Sequence, residues 1–501
     1  MGGGGGADRA GGHRACHHRR VRSRPAATLV FATSAAVLVL EILAGRLLAP
    51  YVGESIETYT GIIGTVLAAI AAGTAIGGRL ADRVDPRRLL GPTLALGGVL
   101  AWLSLPLIAL LGPGAGDGPA AIIVLTTAAF FLPAAVLSAI SPMAAKLRLD
   151  DLGDTGTVVG GLSAAGTAGA LVGTFVTGFV LVAAVPTRPV VLAVGAALVI
   201  AGVALWWRHL ATVPHPAVAA TTLVVVVAAA GLGATAETPC EWETPYFCAR
   251  VEVDPSDPSQ RTLWLDTLRH SHVDLDDPTH LEFRYVRLFA AVADSLGDGP
   301  LDTLHIGGGG FTFPRYLDVV RPGSTSLVLE IDPALIDIAE DELGLVRTPA
   351  LRVDVGDART AITRLPDASY DMVVGDAFGG LSVPWHLTTV ELVDQVARTL
   401  RPGGIYVMNV IDGGPNRFAE AQVATLLDRF AHVAVIVPAS GPPSGRPVNQ
   451  VLVASDAPLP PVTVAPDDGL VLTGDDVVAF TDGARPLRDD FAPVDTLITR
   501  R

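Results

Sequence analysis

Charged residues are scarce in this 501-residue sequence, where they make up 17% of the chain while hydrophobic residues make up 50%. Lysine is nearly absent, since Lys146 is the single one, and the formal net charge at pH 7 is −15. A chain with this acidic balance lacks the basic surface through which proteins bind nucleic acid, so that class is excluded. The abundance of apolar residues also excludes a disordered or collagen-like chain.

The composition changes sharply near residue 236. Residues 1–236 contain 15 basic and 10 acidic residues, giving +5, whereas residues 237–501 contain 20 basic and 40 acidic residues, giving −20. The first part is rich in long apolar runs, and the second has the mixed composition of a soluble domain. The sequence therefore predicts two unlike parts rather than one globular domain.

The first part predicts a membrane domain behind a short tail. Residues 1–25 are glycine-rich and basic and predict a disordered basic tail. Seven apolar runs follow, each near the roughly 20 residues that a membrane-spanning helix needs. They lie at 27–49, 59–80, 89–111, 119–142, 158–183, 189–208 and 216–236, and they predict a multi-pass α-helical domain over 26–236. The four-residue spacing of Gly73/Gly77 and Gly169/Gly173 is typical of closely packed membrane helices.

The positive charges between the apolar runs fall mainly on one side of the predicted cell membrane. This side holds the arginines of the tail, Arg79, Arg83, Arg87, Arg88, Lys146, Arg148 and Arg208. Because positively charged loops are cytoplasmic, the N-terminus is expected in the cytoplasm, and seven spans then place the domain after residue 237 outside. If one span is miscounted, that domain is cytosolic instead.

The second part begins with a small β-rich segment and a helix over 237–300. Residues 247–254 and 261–267 alternate as two strands, and residues 281–296 have the apolar spacing of a helix. Over 301–501, apolar strands alternate with helical stretches, which predicts an α/β Rossmann-like domain with a mostly parallel sheet. The predicted strands lie at 301–307, 326–332, 351–357, 370–376, 405–411, 432–439 and 448–455.

Acidic residues end several of these strands, at the edge of the sheet where ligands bind in such folds. The first strand runs into a loop that lets the backbone approach a ligand and that consists of Gly307, Gly308, Gly309 and Gly310. Glu330, which is about 20 residues further on and is followed by Asp332, can accept hydrogen bonds from ribose hydroxyls. Asp357 is placed to receive an adenine amino group, and Asp376 ends the fourth predicted strand. This pattern predicts a nucleoside-binding site.

The same edge indicates the charge of the ligand. No phosphate-binding lysine follows the glycines, which argues against a P-loop nucleotide hydrolase. An adenosine that carries a sulfonium group fits better, because carboxylates attract the positive sulfur and would repel a pyrophosphate.

Two groups of motifs carry a resemblance to known families. The runs HIGGGGFTFPRYL, LVLEIDP, VGDA and YDMVVGDAF are similar to those of the spermidine synthase (polyamine aminopropyltransferase) family. The stretch from Glu41 through GRLLAPYVGESIETYTG looks like the start of bacterial proteins that fuse a transporter-like part to a spermidine synthase part. Its continuation GGRLADRVDPRR is similar to a loop of major facilitator (MFS) transporters.

The resemblance implies a Rossmann-like domain of the class I methyltransferase type, and a transferase of polyamine biosynthesis. Such an enzyme takes decarboxylated S-adenosylmethionine as a co-substrate, with no tightly bound cofactor, and passes its aminopropyl group to an amine. By match, Glu330 would hold the ribose, and Asp357 with Ala358 would contact adenine. Asp376 would accept the proton that the attacking amine loses.

The sequence departs from the family where the polyamine would bind. Gly310 and Gly379 replace acids of the family, and Phe247 replaces a glutamine. We therefore expect adenosine recognition to survive and leave the acceptor open. The weaker candidates for substrate contacts are Tyr246, His270, Glu282, Trp385 and His386. The C-terminal RDDFAPVDTL resembles the tail of the fused proteins and is expected to fold back as a lid.

Cysteines and histidines add two further expectations. Cys240 and Cys248 follow the last apolar run and are candidates for a disulfide, with two free thiols as an equal alternative. A disulfide would suit a domain outside the membrane. His270, His272 and His280 lie close in the sequence, but their spacing matches no recognised ligand pattern, so no metal site is expected.

Three functions stay open from the sequence. The first is a membrane-anchored aminopropyltransferase. The second is a methyltransferase that uses intact S-adenosylmethionine, whose carboxylate would explain the loss of an acid at Gly310. The third is a non-catalytic transporter or sensor with a nucleoside- or polyamine-binding domain. The expected partners are the lipid bilayer and a small-molecule amine acceptor, with no nucleic acid, and association of several copies of the chain stays open.

Overall fold

The computed structural model describes residues 23–116, 118–149, 155–209 and 216–498. The chain divides into two compact units, one formed by Met1–Val52 and Glu57–Thr238 and the other by Gly53–Ile56 and Pro239–Arg501. The division near residue 238 agrees with the change in composition. The predicted tail lies outside the described residues up to residue 22, and its last three residues belong to the first helix.

The first unit is entirely helical where it is described. Its helices are α1 (Ser23–Val52), α2 (Ile56–Arg83), α3 (Pro86–Leu111), α4 (Pro119–Lys146), α5 (Thr155–Ala184), α6 (Thr187–His209) and α7 (Pro216–Thr235). All seven predicted runs are therefore helices. Within the described residues, six are long and apolar enough to cross a membrane. The seventh is shorter by the same measure, since its apolar part is Ala219–Thr235.

Small residues bring these helices into close contact, as their spacing predicts. A side chain at Gly169 would overlap the carbonyl oxygen of Phe31 on α1. A Cβ at Gly173 would lie 2.6 Å from the carbonyl oxygen of Ala35. A Cβ at Gly77 would lie 2.6 Å from the Cα of Ala139 on α4. Only glycine permits such an approach between backbones, so these positions fix how α1 packs on α5 and how α2 packs on α4.

The second unit starts with a four-stranded antiparallel sheet. Its strands are β1 (Trp242–Glu243), β2 (Cys248–Asp254), β3 (Asp257–Leu265) and β4 (Leu268–Asp274), and they lie in chain order. The sequence predicts only two of these four strands. β3 begins at Asp257, before the predicted strand start at residue 261, because the side chain of Asp254 accepts the N–H of Ser256 and closes a tight turn there.

An eight-stranded sheet forms the rest of this unit. Its strands are β5 (Asp302–Ile306), β6 (Thr325–Glu330), β7 (Leu351–Val355), β8 (Tyr370–Gly375), β9 (Leu400–Asp412), β10 (His432–Val437), β11 (Val448–Ser455) and β12 (Leu470–Thr473). Their order is β12-β10-β11-β9-β8-β5-β6-β7. The helices are α8 (Arg284–Asp294), α9 (Thr312–Val320), α10 (Pro333–Glu342), α11 (Ala358–Ala361), α12 (Val390–Thr399), α13 (Arg417–Arg429), α14 (Asp475–Phe480) and α15 (Val494–Leu497).

The sheet is mixed: four of its seven pairings are parallel, as expected, and the other three form an antiparallel side that was not predicted. The pairs from β9 to β7 are parallel, whereas β11 pairs antiparallel with β9 and with β10, and β12 with β10. No helix connects β10 to β11 among the described residues, and a parallel connection needs a crossover of about a dozen residues or more. The seven predicted strands are all present, and the short edge strand β12 was not predicted. The parallel centre β8-β5-β6-β7 brings four strand ends to one edge.

Candidate active site

The glycine loop and Glu330 form one hydrogen-bonded unit at the ends of β5 and β6. The backbone N–H of Gly308 donates to Oε2 of Glu330 at 2.8 Å, and the N–H of Asp332 donates to Oε1 at 2.9 Å. Glu330 is 5% exposed, and burial raises its pKa while these hydrogen bonds oppose the increase. Oε2 also accepts a longer hydrogen bond from the N–H of Gly309 at 3.4 Å, whereas Oε1 keeps a lone pair that can accept a hydrogen bond from a ligand.

Gly307 shows why the loop needs glycine. Its φ of +97° favours glycine, and a side chain there would overlap the carbonyl oxygen of Asp376. The loop thus lies directly against the end of β8. Asp332, in contrast, is fully buried and accepts the N–H of Ala334 at 3.0 Å, so its carboxylate caps α10.

Asp357 contacts two groups beyond β7. Its Oδ1 accepts the N–H of Thr360 and caps α11, which begins at Ala358, and its Oδ2 lies 3.0 Å from Nε2 of His386. The ring of Trp385, whose residue is 51% exposed, meets that of His386 edge-on. The structure therefore brings His386 to the residue expected to receive adenine, a pairing that the sequence does not reveal.

The C-terminal segment RDDFAPVDTL (488–497) packs beside Asp357 and His386. Asp489 accepts hydrogen bonds from Arg359 at 2.5 Å and from Thr389 at 2.7 Å, and Asp495 accepts one from Ser382 at 3.1 Å. These contacts hold the segment against the loop after Asp376 and against the start of α12.

Tyr246 reaches the nucleoside edge from the small sheet. Its pKa is raised by burial and by the negative charges of Asp332, Asp357 and Glu330. The side-chain oxygen of Thr244 accepts the N–H of Tyr246 at 3.1 Å. A disulfide joins Cys240 to Cys248 on either side of this turn. The turn that carries Tyr246 is thus tied down at both ends.

Asp376 is the centre of a polar group in a cavity of about 190 Å³. Its Oδ1 accepts a hydrogen bond from Nδ2 of Asn409 at 2.9 Å, and Oδ1 of Asn409 accepts one from Nδ2 of Asn449 at 3.0 Å. Burial raises the pKa of Asp376 to about 6, against hydrogen bonds from Asn409 and Tyr285 that lower it. A carboxylate in this state is mostly ionised at pH 7 and can accept a proton. His270 lines the same cavity.

Tyr285 and Asn409 are site residues that the sequence reasoning missed. Tyr285 lies in the predicted helix after the small sheet, where it has the spacing of an ordinary core residue. Asn409 interrupts an otherwise apolar strand and is 2% exposed. A polar side chain at a buried strand position needs a partner, and that was the available signal.

At Gly310, where the sequence departs from the spermidine synthase motif, a residue of the small sheet occupies the neighbouring space. The N–H of Gly310 donates to Oγ of Ser271 at 2.9 Å, and a Cβ at Gly310 would lie 2.7 Å from the Cβ of Ser271. Ser271 on β4 thus fills the space that a side chain at position 310 would need. Gly379 is exposed.

Glu282, His272 and His280 form a separate group. Glu282 is exposed, at 3.8 Å from both Arg269 and His280. His272 contacts Thr262 and packs edge-on against His280. Within the described residues, no group of three or more histidine, cysteine, aspartate or glutamate side chains is arranged to hold a metal ion.

Comparison with known proteins gives relatives for the C-terminal part. The chain is 29% identical to the polyamine aminopropyltransferase of Chromobacterium violaceum over 199 residues, which cover 39% of this chain and 75% of the relative. It is 36% identical to that of Vibrio vulnificus over 129 residues, covering 25% of this chain and 43% of the relative. It is also 27% identical over 122 residues to the eEF1A lysine and N-terminal methyltransferase of Bos taurus, covering 22% of this chain and 18% of that protein.

Among solved structures, a probable spermidine synthase from Corynebacterium glutamicum is 27% identical. The superposition covers 52% of this chain and 99% of the spermidine synthase chain, with a TM-score of 0.48. No protein-family model matches the chain. The C-terminal part is therefore homologous to polyamine aminopropyltransferases and to related methyltransferases, which supports a transferase.

Proposed function

We propose that the protein is a membrane-anchored transferase that binds an adenosine sulfonium and moves its aminopropyl group to an amine. Asp376 carries the proposal, because it is an ionisable carboxylate at the carboxyl edge of the sheet, inside a cavity and beside the glycine loop. Homology to aminopropyltransferases supports the same reaction. Gly307–Gly310, Glu330 and the Asp357–Ala358 turn would hold the adenosine.

The proposed chemistry uses Asp376 as the base. The acceptor amine loses a proton to the carboxylate, and its lone pair then forms a bond to the carbon beside the sulfonium. The carbon–sulfur bond breaks, and sulfur takes the electron pair to leave neutral methylthioadenosine. The Asp376 pKa of about 6 leaves the base ionised at neutral pH.

Calorimetry on the full chain in lipid nanodiscs tests donor binding. Decarboxylated S-adenosylmethionine and methylthioadenosine should both bind. Glu330→Gln should weaken binding by about tenfold or more, because it removes a charged acceptor of ribose hydroxyls. Glu340→Gln on α10, whose carboxylate pairs with Arg347 and not with the glycine loop, is the matched control and should bind as the parent chain does. Absence of binding by the parent chain would refute the proposal.

Methyl transfer from intact S-adenosylmethionine is the second candidate, and the packing of Ser271 against Gly310 favours it. With a hydroxyl rather than a carboxylate at this point, the loop would not repel the carboxylate of the intact cofactor. Mass spectrometry of the modified acceptor separates the two reactions, since one adds a propylamine and the other a methyl group.

The helical unit would anchor the enzyme in the cell membrane, and the charge pattern supports a cytoplasmic N-terminus. We propose that α7 also crosses, so that the catalytic unit lies outside. The Cys240–Cys248 disulfide supports this side, because disulfides persist in oxidising compartments. A C-terminal alkaline phosphatase fusion should therefore be active. An inactive fusion, with Cys240 and Cys248 open to cytosolic thiol labelling, would place the domain inside.

A further inference from the structure

The cavity beside Asp376 presents charge of both signs. Asp376 and Arg269 both line it, and the guanidinium of Arg269 lies over the ring of Phe283, which lines it as well. His270 also lines the cavity, but burial lowers its pKa to about 4, so its ring is neutral at pH 7. The other lining side chains are amides, aromatic rings or aliphatic groups, such as Asn449 and Phe378. Among the described residues, Asp376 is the single acid that lines this cavity.

The side chain of Arg269 has N–H donors that a ligand could use. Its guanidinium lies 5.2 Å from the ring centre of Phe283 and forms an ion pair with the half-exposed carboxylate of Glu282 at 3.8 Å, a distance too long for a hydrogen bond. Within the described part of the chain it makes no hydrogen bond through its side chain. A guanidinium has five N–H donors in a fork that matches a carboxylate, so a ligand carboxylate could bind it with two parallel hydrogen bonds.

A diamine is a poor match for this arrangement. If one amine lies at Asp376, the second ammonium has no lining carboxylate to meet and faces the positive charge of Arg269. Glu282 does not line the cavity and already lies near two basic side chains. Like charges in a partly desolvated site disfavour binding and exclude the wrong ligand.

We propose that the acceptor is a small amine that also carries a carboxylate, with its amine at Asp376 and its carboxylate at Arg269. This inference rests on the proposed function, because it names the substrate class of the same site. The cavity volume of about 190 Å³ suits a molecule the size of a short amino acid. The transfer itself is unchanged: the amine forms the new carbon–nitrogen bond, and the ligand carboxylate takes no part in it.

Paired probes read the acceptor directly. They are β-alanine, γ-aminobutyrate and δ-aminovalerate, each matched with the diamine of the same number of carbons. Binding to the full chain in nanodiscs is measured with and without methylthioadenosine. At least one amino acid should bind about tenfold tighter than its diamine, as expected for a charge-assisted pair in place of a repulsive contact.

Substitution of Arg269 tests the assignment. Arg269→Gln should remove the preference, and Arg269→Glu should reverse it in favour of the diamine. Arg250→Gln is the matched control, because Arg250 lies on the same small sheet over Trp264 at 4.3 Å and 3.7 Å from Glu252, outside the cavity. It should keep the parent preference.

The inference is overturned if the parent chain prefers every diamine, if it binds neither member of any pair, or if Arg269→Gln leaves the preference intact. Methylthioadenosine binding separates these failures from those of the proposed function. If methylthioadenosine binds and the amino acids do not, the acceptor class is wrong while the nucleoside site stands. If methylthioadenosine fails to bind, the proposed function falls, and the acceptor titration without it still decides the preference.

Discussion

The side-chain amide of Asn409 donates a hydrogen bond to the carboxylate of Asp376 at 2.9 Å. The two residues end up together because β8 and β9 are parallel neighbours, with Gly375 opposite Met408. The contact stabilises the ionised form of Asp376 against the effect of burial, and Tyr285 acts in the same direction. The protonation of the proposed base therefore depends on groups from two other elements.

Loss of either donor should move the acidic limb of the pH–rate profile. The limb is expected near pH 6, where Asp376 loses its proton as the pH rises. In Asn409→Leu and in Tyr285→Phe the ionised form loses a hydrogen bond, so the limb should move upward by about one pH unit. The measurement is kcat/KM against pH for the parent chain and both variants. A limb that stays in place in both variants would show that Asp376 does not control it.

Asp376→Asn should stabilise the fold at neutral pH. Burial raises the pKa of Asp376 from 3.8 to about 6, so the folded protein holds this proton more tightly than the unfolded chain. The contribution to stability is full below pH 4 and is lost as the pH rises through about 6. The neutral amide avoids this loss, and the variant should gain about 2 kcal/mol at pH 7 with little change at pH 4. Thermal unfolding of the two chains at both pH values gives the result, and an equal change at both would contradict it.

The disulfide should matter for both stability and nucleoside binding. Cys240→Ser with Cys248→Ser should cost about 2–3 kcal/mol through loss of a short cross-link. It should also weaken methylthioadenosine binding several-fold, because the freed turn carries Tyr246. Unchanged methylthioadenosine binding in the double variant would show that the turn does not help to hold the nucleoside.

The packing of α1 on α5 gives a prediction for the helical unit. Gly169→Ala forces its Cβ into the carbonyl of Phe31, whereas the Cβ of Gly161→Ala on the same helix meets nothing within 4 Å. The first variant should lose about 1–3 kcal/mol of stability through overpacking, and the second should behave as the parent chain. The midpoint of thermal unfolding in detergent separates them. Equal midpoints would show that the close contact between α1 and α5 does not contribute to the stability of the helical unit.

Local patterns in the sequence gave much of the fold. The strand-end acids Glu330, Asp357 and Asp376 lie where the apolar strands predict, because each strand and its end are set by a few neighbouring residues. The spacing of Gly169 and Gly173 likewise survives in the helix contact. The mixed strand pairing was not predicted from the sequence, because it depends on whether the connection between two strands, such as β10 and β11, contains a helix.

Most of the missing site features come from residues far apart in the chain. Asn409 lies 33 residues from Asp376, and Ser271 lies 39 residues from Gly310. His386 reaches Asp357 from the loop before α12. No local pattern encodes such contacts, which arise only when the sheet order and the small β-sheet are assembled.

The most direct test of the proposed base is transfer by the full chain under single-turnover conditions with decarboxylated S-adenosylmethionine and an amine acceptor. The parent chain should form methylthioadenosine and an acceptor heavier by one aminopropyl group. Asp376→Asn should bind the donor as tightly but transfer at least about 100-fold more slowly, the usual cost of losing a general base. Transfer by Asp376→Asn at the parent rate, or donor binding without transfer by the parent chain, would contradict this function.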